Sequence, residues 1–221
     1  MSRKVSESTV RRLSHYLRIL EKLEHSQLLT VSSVDLAGEA GTTAAQVRKD
    51  FSHFGSFGKR GTGYLVTDLA AEIREILGLG TPWNVALVGA GRVGSALFEY
   101  ADFRRRGFRI ETVLDIAPER IGQWWGDVQI KDAGDLEAIL SERDIDIVIL
   151  AVPADAAQET AERAVAAGAR GILNFAPTQL RLPEGISIHD VNMVMELEAL
   201  SFDLTHEGDD RGPDSVGALA G

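Results

Sequence analysis

The sequence predicts an α/β chain with an N-terminal winged-helix domain over residues 1–80. A doubly wound, Rossmann-type parallel-sheet domain follows over 81–190, and a C-terminal helix closes the chain. Three observations carry this expectation. Apolar residues recur at three- and four-residue spacing as far as Leu77, whereas beyond Trp83 they gather into short continuous runs alternating with helical patterns. The charge balance changes at the Gly- and Pro-rich stretch 78–82: residues 1–80 hold 11 Lys+Arg against 9 Asp+Glu, and the remainder holds 12 against 24. Glycines also cluster in two places, 55–63 and 89–94, where a regular helix cannot continue.

Taken in order, Val10, Leu13, Leu17, Leu20 and Leu23 form the stripe of a first helix. A short second helix follows Ser32 and Ser33 and offers Val34, Leu36, Ala37 and Ala40 for burial before Gly41 breaks it. Thr43-Ala44-Ala45-Gln46 has the spacing of a capping box, so a third helix is expected there, with Val47, Phe51 and Phe54 inward and Gly55 at its end. Residues 57–66 are too Gly-rich for a helix and read as a small hairpin with Lys59 and Arg60 at its tip. A fourth helix from about Thr67 buries Leu69, Ile73, Ile76 and Leu77.

The run Val85-Ala86-Leu87-Val88 is expected of a strand buried on both faces. A helix to about Arg106, strands over 109–115 and 144–152, a helix over 155–167, a strand over 171–175 and a last strand near His189 complete a parallel sheet. The final helix is expected over 191–204 and a disordered acidic tail over 205–221.

Gly89-Ala90-Gly91-Arg92-Val93-Gly94 fits G-x-G-x-x-G and stands between an expected strand and an expected helix, the context the pattern requires. Gly89 permits the tight turn, Gly91 admits a diphosphate, and Gly94 lets the helix pack on the strand. The helix N-terminus supplies N–H donors and the positive end of its dipole. Asp115 ends the next strand, placed to accept from adenosine ribose hydroxyls and to repel a 2′-phosphate. No Arg or Lys follows before Arg120, which favours NAD(H) over NADP(H). The strand-end loops Ala151-Val152-Pro153 and Asn174-Phe175 are candidate walls for the nicotinamide half.

The second and third helices with Gly41 between them form a helix-turn-helix pattern. On the exposed face of the third, Gln46 and Arg48 suit base edges, and Lys49, Ser52 and His53 suit phosphates or bases. Lys59 and Arg60 form a wing that reaches a minor groove or the backbone. Gln46 also has the duty of capping partner.

The exclusions are as useful. With no cysteine there is no disulfide or thiol chemistry, which fits a cytoplasmic protein. No apolar run reaches membrane-spanning length, and the histidines show no metal-ligand spacing. Only about thirty residues follow the last strand, too few for a substrate domain, and no Tyr-x-x-x-Lys pair is present. No catalytic residue is therefore assigned. The alternatives are a small NAD-dependent oxidoreductase with a helical accessory domain and a CoA-binding module; Asp115 argues against the latter, since it favours free ribose hydroxyls.

The segments Gln46-Val47-Arg48-Lys49-Asp50 and Gly55-Ser56-Phe57-Gly58-Lys59-Arg60-Gly61-Thr62-Gly63-Tyr64, the loop 89–94 and Asn174-Phe175-Ala176-Pro177 together resemble the Rex family of redox-sensing transcriptional repressors, over roughly residues 8–204. That resemblance implies a homodimer whose C-terminal helix is domain-swapped onto the partner. It implies a palindromic operator bound without NADH and released with it, while NAD+ permits binding. Arg18, Tyr100 and Asn192 match positions of the family's switch, Asn192 standing where many members carry Asp.

Overall fold

The computed structural model describes residues 5–55, 57 and 63–206. The chain divides into two compact units, the first ending at Pro82 and the second beginning at Trp83.

In the first unit, helix α1 (Glu7–His25) starts where the Ser6 hydroxyl accepts from the Thr9 N–H. Leu13, Leu17 and Leu20 are buried as their spacing requires, but Val10 is exposed, and the inward face is completed by Tyr16 and Ile19. Strand β1 (Thr30–Val31) is too short to leave a periodic signal. Helix α2 (Ser33–Ala40) is capped by Ser32, whose hydroxyl accepts from Asp35 N–H while the Asp35 carboxylate accepts in return. Leu36 and Ala37 are its buried residues, and Val34 faces solvent. Gly41, at φ +63°, ends the helix in the left-handed conformation.

Helix α3 (Ala44–Ser52) begins at Thr43, which accepts from Gln46 N–H. The Gln46 carboxamide donates to Asp50 and does not return to Thr43, so the complete capping box belongs to α2 and the expected one on α3 is half formed. His53 caps α3, two residues before Gly55. Strand β2 (Tyr64–Leu65) pairs antiparallel with β1, a partner contributed by an earlier segment. The wing tip with Lys59 and Arg60 lies outside the described residues. Helix α4 (Val66–Ile76) packs along α1, and Phe51 gathers the rings of Tyr16, Phe57 and Tyr64 around it.

The second unit runs β3 (Trp83–Val88), α5 (Arg92–Phe98), α6 (Ala101–Arg105), β4 (Phe108–Asp115), β5 (Trp124–Trp125), β6 (Val128–Asp132), a 3-10 turn (Ala133–Asp135), α7 (Leu136–Glu142), β7 (Ile147–Leu150), α8 (Ala154–Ala166), β8 (Gly171–Asn174), β9 (Ser187–Asp190) and α9 (Met193–His206). The sheet order is β5-β6-β4-β3-β7-β8-β9, parallel throughout except for the β5–β6 pair. The chain winds outward in opposite directions from β3, and ligands of doubly wound sheets sit at such a reversal.

In this unit three expectations need correction, and three elements were not expected. The helix expected to reach Arg106 is broken at Tyr100 into α5 and α6. The strand expected over 144–152 keeps only its middle, because Asp144 sits at φ +48° and Pro153 opens the next helix. Strands β5 and β6 and helix α7 went unread, since their short, half-buried segments lack a clean period. The last helix starts at Met193, not 191, and runs to His206, past the expected onset of a tail at 205.

Candidate functional site

A cleft of about 660 Å³ opens at the carboxyl ends of β3, β4, β7 and β8. Gly89, Gly91, Arg92, Val93, Asp115, Ala151, Val152, Pro153 and Phe175 line it, so one site gathers most residues proposed from the sequence. The glycines divide their work. Gly89 sits at φ +101°, and a Cβ there would strike the Ala151 carbonyl oxygen. At Gly94 a Cβ would strike the Gly89 carbonyl oxygen, so this residue lets α5 close on the loop. A Cβ at Gly91 would meet nothing within 4 Å, so packing within the fold does not require glycine at this N-cap position. Helix α5 has only seven residues, which trims the dipole argument; unpaired first-turn N–H groups are the stronger reason for an anion here.

Asp115 is tied more closely than its spacing suggested. Its Oδ2 accepts from Ala90 N–H at 2.6 Å and from the Arg120 guanidinium at 3.1 Å, and its Oδ1 accepts from Ala117 N–H at 2.8 Å. Burial pushes this carboxyl up, but the Ala117 and Ala90 N–H groups and Arg120 outweigh it and hold it below the ordinary carboxylate range. Ala90 therefore serves the loop, its N–H spent on Asp115. Arg120, the first cationic residue after Asp115 in the sequence, lies in the cleft against the acid. Rejection of a 2′-phosphate by bare negative charge is weakened accordingly.

Asn174 is completely buried. Its amide donates to Thr178 O and Asp190 Oδ1, and its oxygen accepts from Ala176 N–H. These bonds make it a brace for the loop that carries Phe175 and Pro177, and it is not among the residues that line the cleft. Sequence reasoning missed the opposite wall, Ala156, Thr160 and Arg163 of α8 with Ala133 and Leu136. Arg163 binds Glu137 through two hydrogen bonds and also donates to the carbonyls of Ala133 and Gly134. A pairing 26 residues apart leaves no local signal.

On the first unit, Arg48, Lys49, Ser52 and His53 are exposed on or beside α3. Arg48 donates to Ser33 Oγ at 2.9 Å, and the Ser52 hydroxyl donates back to Lys49 O. Gln46 is half-buried and committed to Asp50, to which its carboxamide donates. Asp50 is fully buried and also accepts from Arg12 and Tyr16. Burial pushes its carboxyl up, yet Arg12, Gln46 and Tyr16 hold it below the ordinary range, while burial and Asp50 push Tyr16 to about 12. Arg18 is exposed on α1, Tyr100 is half-exposed at the start of α6, and Asn192 caps α9 by accepting from Val194 and Met195 N–H.

Among the described residues, no helix is long and apolar enough to cross a membrane, and no group of three or more His, Cys, Asp and Glu is placed to hold a metal.

A helix-turn-helix unit joined to a Rossmann-type sheet defines a regulator whose two units are read separately. Family models agree: residues 4–52 match "Putative DNA-binding protein N-terminus" and residues 81–178 match "CoA binding domain". The redox-sensing transcriptional repressor Rex of Carboxydothermus hydrogenoformans is 45% identical over 204 residues, covering 92% of this chain and 98% of the relative. Rex of Streptomyces coelicolor is 43% identical over 201 residues, covering 91% and 78%. Among solved structures, RSP in complex with β-NAD+ and operator DNA superposes with a TM-score of 0.89 at 37% identity, covering 93% of this chain and 95% of RSP. RSP in complex with β-NADH gives 0.84 at 35% identity, covering 93% and 97%. The chain belongs to the Rex family of redox-sensing transcriptional repressors.

Proposed function

We propose that this protein is a cytoplasmic, homodimeric repressor that binds a palindromic operator and leaves it when NADH fills the cleft, so that the NADH/NAD+ ratio sets occupancy of the DNA. The carrying observation is the cleft itself. A glycine loop with an open Gly91 faces an acid at the ribose end, in a chain whose other unit presents an exposed basic helix face. Relatives of the same fold have been captured with NAD+ and operator DNA and with NADH. In this reading Gly89, Gly91, Arg92, Val93 and Gly94 form the diphosphate loop, Asp115 with Arg120 holds the adenosine ribose, and Ala151, Val152, Pro153 and Phe175 bound the nicotinamide half. Arg48, Lys49, Ser52 and His53 of the helix and Lys59 and Arg60 of the wing meet DNA. Arg18, Tyr100 and Asn192 exchange partners as the dimer changes shape. The sensor works only if NADH prefers one shape by free energy; tight but indifferent binding would shift nothing.

The test is an anisotropy titration of a labelled palindromic duplex at fixed salt, with NADH, NAD+, CoA or no ligand. NADH alone is expected to weaken operator binding, by about tenfold or more if its coupling lies in the usual range. Equal affinity in all four arms would remove the sensor. Release by CoA in place of NADH would favour the chemistry named by the family model of residues 81–178.

A further inference from the structure

Asp50 follows the exposed Arg48 and Lys49 along α3, yet its own side chain is completely buried on the inward face of the helix with Val47 and Phe51. Its Oδ1 accepts from Arg12 Nη2 at 2.7 Å and Gln46 Nε2 at 2.8 Å. Its Oδ2 accepts from Arg12 Nε at 2.7 Å and the Tyr16 hydroxyl at 3.0 Å. Two parallel guanidinium bonds fix direction as well as distance. Arg12 is itself steadied by Thr9, to whose hydroxyl its Nη2 donates at 3.2 Å. One residue further on, Phe51 packs edge-on against Tyr16. Donors from α1 and from the first turn of α3 thus converge on one carboxylate.

Leu13 and Tyr16 of α1 and Val47 and Phe51 of α3 belong to one buried apolar core, in which Phe51 meets Tyr16. Apolar packing is non-directional and tolerates a small rotation or slide of one helix on another. A buried charge is costly to place and adds little net stability, so its best-attested use is to select one geometry among several close in energy. Base readout needs that selection, because side chains must meet base edges in register while phosphate contacts accept a wider range of poses.

We infer that Asp50 is a positioning residue for operator recognition: it locks the rotation of α3 on α1 and withholds Gln46 from the bases, leaving sequence readout to the exposed residues of α3 and to the wing. The inference rests on the proposal that this unit binds operator DNA. It predicts a split between specific and non-specific binding. Asp50→Asn keeps the shape but cannot satisfy two guanidinium bonds together with the Tyr16 and Gln46 donors. Operator affinity should fall by about tenfold or more, while affinity for a scrambled duplex of equal length stays within about twofold. NADH affinity should not change, because the cleft lies in the other unit. Arg12→Lys, which keeps the charge but loses the fork, should shift the same ratio in the same direction and serves where Asp50→Asn fails to fold by circular dichroism.

Gln46→Ala should cost little, and evenly over the operator. The readout is fluorescence anisotropy with operator, single-base-pair variants and scrambled duplex. Wild-type protein that fails to distinguish operator from scrambled duplex would overturn the functional reading itself. Wild-type selectivity retained by a folded Asp50→Asn or Arg12→Lys protein would overturn this inference alone. A Gln46→Ala loss confined to one base pair would return Gln46 to base readout and also overturn it.

Discussion

Asp115 carries two duties at once. Its carboxylate fixes the glycine loop through Ala90 N–H and faces the cleft beside Arg120. In Asp115→Ala the Ala90 N–H and the Arg120 guanidinium both lose their acceptor. NADH binding should weaken by about 1–3 kcal/mol, the cost of removing a buried acceptor. Calorimetry decides it, and unchanged affinity would mean the acid takes no part in the site. Glu137 permits a sharper pH statement. Its hydrogen bonds from Arg163, reinforced by its own backbone, hold its carboxyl at about 2. A depressed acid stabilises the fold fully above its unfolded value, about 4.3, and that contribution fades as pH falls through the folded value. Carbon-13 titration of the Glu137 carboxyl should find its midpoint near 2, and Arg163→Met should return it toward the ordinary value. A midpoint already ordinary in the wild type would show that the α7–α8 clasp along the cleft is not formed in solution.

At the scale of elements, the glycine loop separates what the fold needs from what a ligand needs. Gly94→Ala drives a Cβ into the Gly89 carbonyl, so α5 must lift from the loop; overpacking of this kind costs about 1–3 kcal/mol and should lower Tm and abolish NADH binding together. Gly91→Ala meets open space at an ordinary φ of −77°. Restricting the unfolded chain there should leave stability unchanged or raise it by about 0.4–1 kcal/mol, while NADH affinity falls because the methyl stands where the diphosphate must approach. Thermal melts with and without NADH separate the two variants, and a Gly91→Ala protein that binds NADH normally would move the diphosphate elsewhere. The loop and β3 were legible because their signals are local: a continuous apolar run, fixed glycine spacing and a terminal acid. The helical unit was legible through its three- and four-residue stripe and Gly41. What stayed hidden was long-range. Strand β1 finds β2 across 33 to 35 residues, Arg12 finds Asp50 across 38, and Arg163 finds Glu137 across 26. Asn174 was visible in a strand-end motif, but its burial and its bonds to Thr178, Ala176 and Asp190 were not, since a sequence does not say whether a carboxamide faces a ligand or the interior.

For the molecule as a whole, α9 poses an unbalanced surface. Met193, Leu197, Leu200 and Leu204 lie along one side of the helix and Met195 and Phe202 along the other, with Glu196, Glu198 and Asp203 between them. All six apolar residues are more than half exposed, and no residue of α9 is buried. A surface helix covering its own domain needs one apolar face; two faces suit a helix held between two surfaces. The second unit also leaves a groove of about 340 Å³ over its sheet, lined by Val85, Ile147, Ile149 and Leu173. Exposed apolar area on this scale marks an interface, and in a homodimer the same surfaces serve both copies. Replacing Leu197 and Leu200 by Glu should leave each unit folded, since neither residue belongs to a core, but should shift the protein to monomer in light scattering. Operator binding should then fall far more than binding to an isolated half-site, because a palindrome rewards two heads joined at fixed spacing. Loss of dimerisation with full operator affinity would separate recognition from assembly. A dimer that survives both substitutions would place the interface elsewhere on the chain and leave the two-faced helix without its explanation.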